Sequence, residues 1–437
     1  MVDFNLQPGV RLHVEPTSRF HVNRILINFA TPQTADNSAA RNLLANLLET
    51  STAVYPTQTA FAKALNHLYG ADASASVSRI GYAHTLRVRA EAVDDRFAQP
   101  GIFASLVDIL YQMIFRPLIT DGAFDAATFK TQRQNVANEL ASIKENKQYY
   151  AAWQLDRLYY DQSSLMRIPS YGRLEDLDKL TPASLVETYY DMLAHDQVDI
   201  FVYGNVDPQT VLDLFRQWPL SPRQSPLPND IYYRQPFHHR VRELSERQDV
   251  NQAKLNLAYH FPVFYRDENY YAALVMNGIL GGTPYSKLFA NVREKASLAY
   301  YASSQLRLFS SHLAIQTGID AKNYHQARQL IEAQVKAVQQ GDFSETVMQE
   351  VKDALINQYQ TGLDAPGGIV EHWLVDCMSN RLPAENVIES LQQVTKEQVA
   401  NLAKKLQLQA VYFWMVRNNA AIQIFGIQSK YVPKAAG

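Results

Sequence analysis

Cysteine is nearly absent from this sequence: Cys377 stands alone among 437 residues. One thiol can form no intramolecular disulfide, and it cannot build a thiolate cluster for a metal. Neither sign of charge is in surplus, since 41 basic side chains face 43 acidic ones for a net of -2. Without excess positive charge there is little to displace the counterions of a phosphate backbone, so nucleic acid is not an expected partner. No apolar run approaches the roughly 20 residues that span a bilayer, so no membrane partner is expected. Positions 1–9 have neither the basic start nor the apolar core of a secretory signal, which points to a cytoplasmic protein. Paired histidines are missing too. None of the eleven lies three or four positions from another, the spacing that sets two imidazoles on one helical face.

What is present is a folded chain, with 47% hydrophobic and 19% charged residues. Its length exceeds one ordinary core and favours two or three globular units. The alternation Arg24-Ile25-Leu26-Ile27-Asn28-Phe29 reads as a strand. A helix follows over residues 38–50, with Leu43, Leu44, Leu47 and Leu48 on one face and Asp36, Asn37 and Ser38 as capping candidates. A second helix over 57–69 stops at Gly70, and segments 71–80 and 83–92 form a hairpin at Gly81. Long amphipathic stretches cover 97–115 and 124–160, and a strand over 198–203 closes the half.

Five prolines then fall between Pro219 and Pro236, a density that excludes helix and marks a linker. After it the order of elements returns. Strands beginning near 25, 84 and 198 have counterparts near 254, 312 and 411, as a duplicated unit of about two hundred residues would give. The expected fold is α+β: two tandem homologous repeats over 1–218 and 241–437, joined by a linker at 219–240, each a mainly antiparallel sheet packed with long helices.

Two segments carry a resemblance. The run Gly281-Gly282-Thr283-Pro284-Tyr285-Ser286-Lys287-Leu288-Phe289, then Val292-Arg293-Glu294-Lys295 and Leu298-Ala299-Tyr300, is similar to the second-repeat signature of the pitrilysin/insulinase family of zinc peptidases. In the first repeat, Asn46-Leu47-Leu48-Glu49-Thr50, followed by a helix, a glycine and the segment Asp72, Ala73, Ser74, Ala75 and Ser76, stands where that family places its inverted zinc motif and edge strand. The resemblance covers essentially the whole chain. It aligns the family's third zinc ligand with Glu139.

The inverted motif works because two histidines at i and i+4 bind zinc while a glutamate at i+3 polarises its water. Here Asn46 and Thr50 occupy the histidine positions, and an amide and a hydroxyl are poor ligands for a borderline-soft cation. Glu49 keeps the place of the general base, or is simply a solvated carboxylate on a helix face. Only Glu139 would remain as a good ligand, so the chain is expected to hold no catalytic metal and need no cofactor of its own. Arg293 and Tyr300, seven residues apart, match the pair that the resemblance implies binds substrate backbone and stabilises the oxyanion. Their plain alternative is a pairing of Arg293 with Glu294 or Glu332 and a Tyr300 that packs at a strand start.

Some members of the family divide zinc and arginine-tyrosine pair between two subunits. The resemblance therefore implies a non-catalytic subunit that pairs with a zinc-bearing paralogue, binds unfolded peptide along the 72–76 edge, and completes the partner's site. A homodimer is open when the chain is alone. The rival expectation is a scaffold of the same fold without a role in proteolysis, in line with a similarity to bacterial homologues associated with modification of elongation factor P.

Overall fold

A computed structural model describes residues 1–161, 164–248, 252–381, 386–416 and 428–431. The chain forms two compact units. One contains Met1–Ser142, Ile168–Ile231 and Leu363–Leu382; the other contains Ile143–Arg167, Tyr232–Gly362 and Pro383–Gly437. Both are α+β, each with a mixed sheet.

In the first unit the sheet runs Val2–Gln7, Val10–Pro16, Gln197–Gly204, Val22–Pro32, Ala83–Val93, Asp72–Ile80. Only the pairing of Val10–Pro16 with Gln197–Gly204 is parallel. Period-two alternation sends Val10, Leu12, Ile25, Ile27, Val198 and Ile200 into a core shared with the helices Asn37–Leu48, Ile102–Phe115 and Pro182–His195. The opposite face of the sheet is mixed, with Arg11, His13, Asn28, Arg87, Arg89 and Asp199 beside Leu26, Phe201 and Tyr203. Helix Pro366–Met378, from the far end of the sequence, covers it: Glu371 pairs with Arg87 and Arg89 at 2.8 and 2.6 Å, Trp373 packs on Tyr203, and Met378 Sδ accepts from Asn28.

The second unit repeats the plan with the exchange reversed. Its sheet order is Ala299–Arg307, His312–Ile319, Ala253–His260, Gln407–Val416, Arg242–Gln248, Gln428–Tyr431. Leu255, Leu257, Ile315 and Phe413 face the main core, while Ala258, Ala314, Tyr412 and Trp414 face the other way. The helix over that second face is Lys147–Tyr159, from the first half of the sequence, packed through Tyr150, Ala151, Leu155 and Tyr159.

The single long stretch expected over 124–160 is therefore two helices, Ala126–Ser142 and Lys147–Tyr159, separated by an Asn146 N-cap that accepts from Tyr149 N–H. They belong to different units. A continuous helix would have tied both segments to one sheet. Helix Pro366–Met378 left little trace in the sequence because it opens Pro366-Gly367-Gly368, a turn-like string that here serves as its first turn. Residues 219–240 form neither helix nor strand, as their prolines require. Among the described residues no helix is long and apolar enough to cross a membrane.

Candidate functional site

Helix Asn37–Leu48 is buried along most of its length, carries Asn46 and ends just before Glu49 and Thr50, the positions that resemble an inverted zinc motif. Asn46 Nδ2 donates to the Asn42 carbonyl at 2.9 Å, and Thr50 Oγ1 donates to the Asn46 carbonyl at 2.6 Å. Both motif side chains thus fold back on the carbonyl four residues earlier, the local bond that short polar side chains favour. Neither extends as a ligand would.

Glu49 caps the C-terminus of this helix and is half-buried. Its Oε2 accepts the Ala75 N–H of edge strand Asp72–Ile80 at 2.8 Å. Burial pushes its pKa up, the Ala75 N–H opposes that, and the charge of Asp72 adds to it. The freely solvated carboxylate considered from sequence is corrected: Glu49 ties a helix end to a sheet edge. Glu139 is exposed on helix Ala126–Ser142, where the buried polar side chain is Gln132, one heptad earlier. Among the described residues neither Glu49 nor Glu139 joins a cluster of three or more potential metal ligands.

The motif helix is held in place by a buried polar network that the sequence reading missed. Arg41, on the same helix, donates to Asp196 Oδ2 at 2.6 Å, to the Phe29 carbonyl at 3.0 Å and to His84 Nδ1 at 3.1 Å. No sequence spacing signals it, because residues 41, 84 and 196 meet only through the sheet.

Arg293 and Tyr300 lie in the second unit, and both are exposed. The backbone around them is unusual. The chain is π-helical over Gly278–Gly282 and again over Leu288–Lys295, Ser297 has a φ of 51°, and the ladder between Ala299–Arg307 and His312–Ile319 shifts register between Ala299 and Tyr301. Tyr300 is therefore the extra residue of a bulge, a device that re-aims a side chain, and π-turns also recur at functional sites. Arg293 lies over the Phe289 ring at 4.6 Å, with Glu294 at 3.9 Å. A loose contact of this kind between exposed groups contributes little. Tyr300 is 64% exposed, so the alternative in which it packs at a strand start is set aside.

The glycines of this region are there for close approach. A Cβ on Gly281 would sit 2.6 Å from Ser304 N, and one on Gly278 would sit 2.4 Å from Val351 Cγ1. Gly281→Ala is expected to cost about 1–3 kcal/mol by overpacking against backbone that cannot rotate away. A thermal melt of the variant checks this; a melting temperature equal to wild type would refute it.

One cluster of potential metal ligands does form among the described residues: His13, Asp199 and Cys377. It lies on the mixed face of the first unit's sheet, where helix Pro366–Met378 lands. A lone Cys377 can build no thiolate cluster, but it can join ligands of other kinds. The donors here are of three kinds from three distant segments, and no spacing rule could assemble them.

Comparison with known proteins fits this picture. The family described as Peptidase M16 inactive domain matches residues 179–355. A protein of Bacillus subtilis described as the probable inactive metalloprotease YmfF is 28% identical over 410 residues, 93% of this chain and 95% of its own. The uncharacterized zinc protease YmxG of the same organism is 23% identical over 69% of this chain and 72% of its own. A crystal structure of a conserved protein from Enterococcus faecalis superposes with a TM-score of 0.91 at 39% identity, covering 96% of this chain and 99% of that one. With a two-sheet fold along the whole chain and motif side chains turned back on their own helix, the protein belongs to the M16 peptidase (pitrilysin) family as a homologue of its inactive metalloproteases.

Proposed function

We propose that this chain is a cytoplasmic, non-catalytic subunit that pairs with a zinc-bearing paralogue and lends Arg293 and Tyr300 to that partner's peptide-cleaving site. The observation that carries the reading is an asymmetry. The motif positions Asn46, Glu49 and Thr50 are all satisfied internally, whereas Arg293 and Tyr300 are held out to solvent by a π-helix and a bulge. A guanidinium and a phenol are suited to bind substrate backbone and steady a developing oxyanion. That Bacillus subtilis holds one relative described as inactive and another described as a zinc protease agrees with such a division of labour. Catalytic zinc belongs to the partner in this scheme.

The test is peptide hydrolysis by the chain mixed with its zinc-bearing paralogue. Arg293→Ala or Tyr300→Phe is expected to lower kcat by about 10²–10³-fold, as loss of an oxyanion donor does. Chelator-sensitive hydrolysis by the isolated chain, abolished by Glu49→Gln, would overturn the proposal. Unchanged activity in both variants would move the assignment to an accessory role, in line with the similarity to homologues associated with elongation factor P modification. One observation favours that second reading: a peptide adding beside Asp72–Ile80 must compete with Glu49 for the Ala75 N–H.

A further inference from the structure

The donor atoms of His13, Asp199 and Cys377 stand in a near-equilateral triangle. His13 Nε2 is 3.7 Å from Asp199 Oδ1, and Cys377 Sγ is 3.7 Å from each of them. The separation of the nitrogen and oxygen is too long for a hydrogen bond. It does match the edge of a triangle whose corners lie about 2.0–2.3 Å from one central ion, the bond lengths of zinc to nitrogen, oxygen and sulfur.

The ligands are also aimed. His13 Nδ1 lies 2.8 Å from Asp3 Oδ1, and a carboxylate can only accept, so Nδ1 carries a proton and the neutral ring turns the lone pair of Nε2 to the triangle. A carboxylate behind a histidine is the arrangement that orients metal-bound imidazoles. Asp199 is fully buried and held on both oxygens, by Arg11 Nε at 2.7 Å and Gln197 Nε2 at 2.9 Å. His13 stacks on Phe201 with ring centroids 4.6 Å apart, which fixes its plane.

We propose that His13, Asp199 and Cys377 form a binding site for a zinc-class divalent cation that clips helix Pro366–Met378 to the sheet it covers. The ion joins segments 13, 199 and 377. It is separate from the degenerate motif, and its role is structural. A thiolate and an imidazole select a borderline-soft metal over magnesium or calcium. Because it rests on none of the residues lent to a partner, the site stands or falls independently of the function proposed above.

The test uses the full chain, stripped with a chelator and titrated with cobalt(II) in an optical cell. One equivalent is expected to bind with a thiolate-to-cobalt charge-transfer band that zinc then abolishes. Cys377→Ser should lose the band, and Glu49→Gln should keep it. Cys377 is the only thiol, so alkylation reads this site alone, and zinc should slow that reaction by about tenfold or more as the metal takes up the thiolate. That second measurement needs no variant to fold. A cobalt spectrum without the band, or an alkylation rate indifferent to zinc, would overturn the proposal.

Discussion

Arg41→Met should destabilise the first unit by about 3–5 kcal/mol, the usual cost of stranding one member of a buried ion pair. Arg41 and Asp196 have only 3% and 1% of their side-chain surface exposed, at 2.6 Å from one another. Methionine fills the space of the guanidinium stem but leaves the Asp196 carboxylate, the Phe29 carbonyl and His84 Nδ1 without their donor. Each loss carries a desolvation penalty, which for Asp196 the nearby charge of Arg223 offsets only in part. Urea unfolding monitors it. Adding Asp196→Asn to the variant should recover part of the loss, because the stranded charge is removed along with its partner. A single-variant change below about 1 kcal/mol would show that the network carries no such weight. Since Arg41 sits on the helix of Asn46 and Glu49, the same measurement tests what fixes the degenerate motif in place.

Acid should weaken the fold through His84 well before the carboxylates titrate. Burial, reinforced by the Arg41 charge, lowers the His84 pKa from 6.5 to about 3, with the Ser170 carbonyl opposing and Arg79 adding to it. The unfolded chain therefore binds a proton at a pH where the folded chain refuses it. The resulting stability is present above pH 6.5 and is lost as pH falls from 6.5 toward 3. The slope approaches about 1.4 kcal/mol per pH unit, the value for one proton. Other groups contribute as well. Burial also lowers the pKa of His260, which adds loss in the same direction, while burial raises the carboxyls of Glu49 and Asp196, which works in the opposite sense. The wild-type curve minus that of His84→Gln isolates the histidine. Parallel curves between pH 6.5 and 4 would disprove the assignment.

The parts of the structure that were legible in the sequence are those set by neighbours along the chain. Residues 57–69 read as a helix because Thr57 caps it, and Tyr69 and Gly70 then take positive φ and end it. Strands Asp72–Ile80 and Ala83–Val93 read as a hairpin because Gly81 turns with a φ of 56°. The absence of an imidazole at positions 46 and 50 was equally plain, since it depends only on which side chains occupy them. The π-helix and bulge at Arg293 and Tyr300 were not legible. They follow from glycines packed against Ser304 and Val351, contacts that only the folded unit makes.

The sequence by itself determined that each half would form a sheet with helices and that no two histidines would share one helical face at i and i+4, because propensity and ligand chemistry belong to individual residues. Tertiary structure alone decided that Lys147–Tyr159 and Pro366–Met378 would be exchanged between the units, that Arg41 would meet His84 and Asp196, and that Cys377 would land beside His13 and Asp199. Arg41 meets Asp196, and Cys377 meets His13 and Asp199, across more than a hundred positions, and in each case burial, not local pattern, selects the partner.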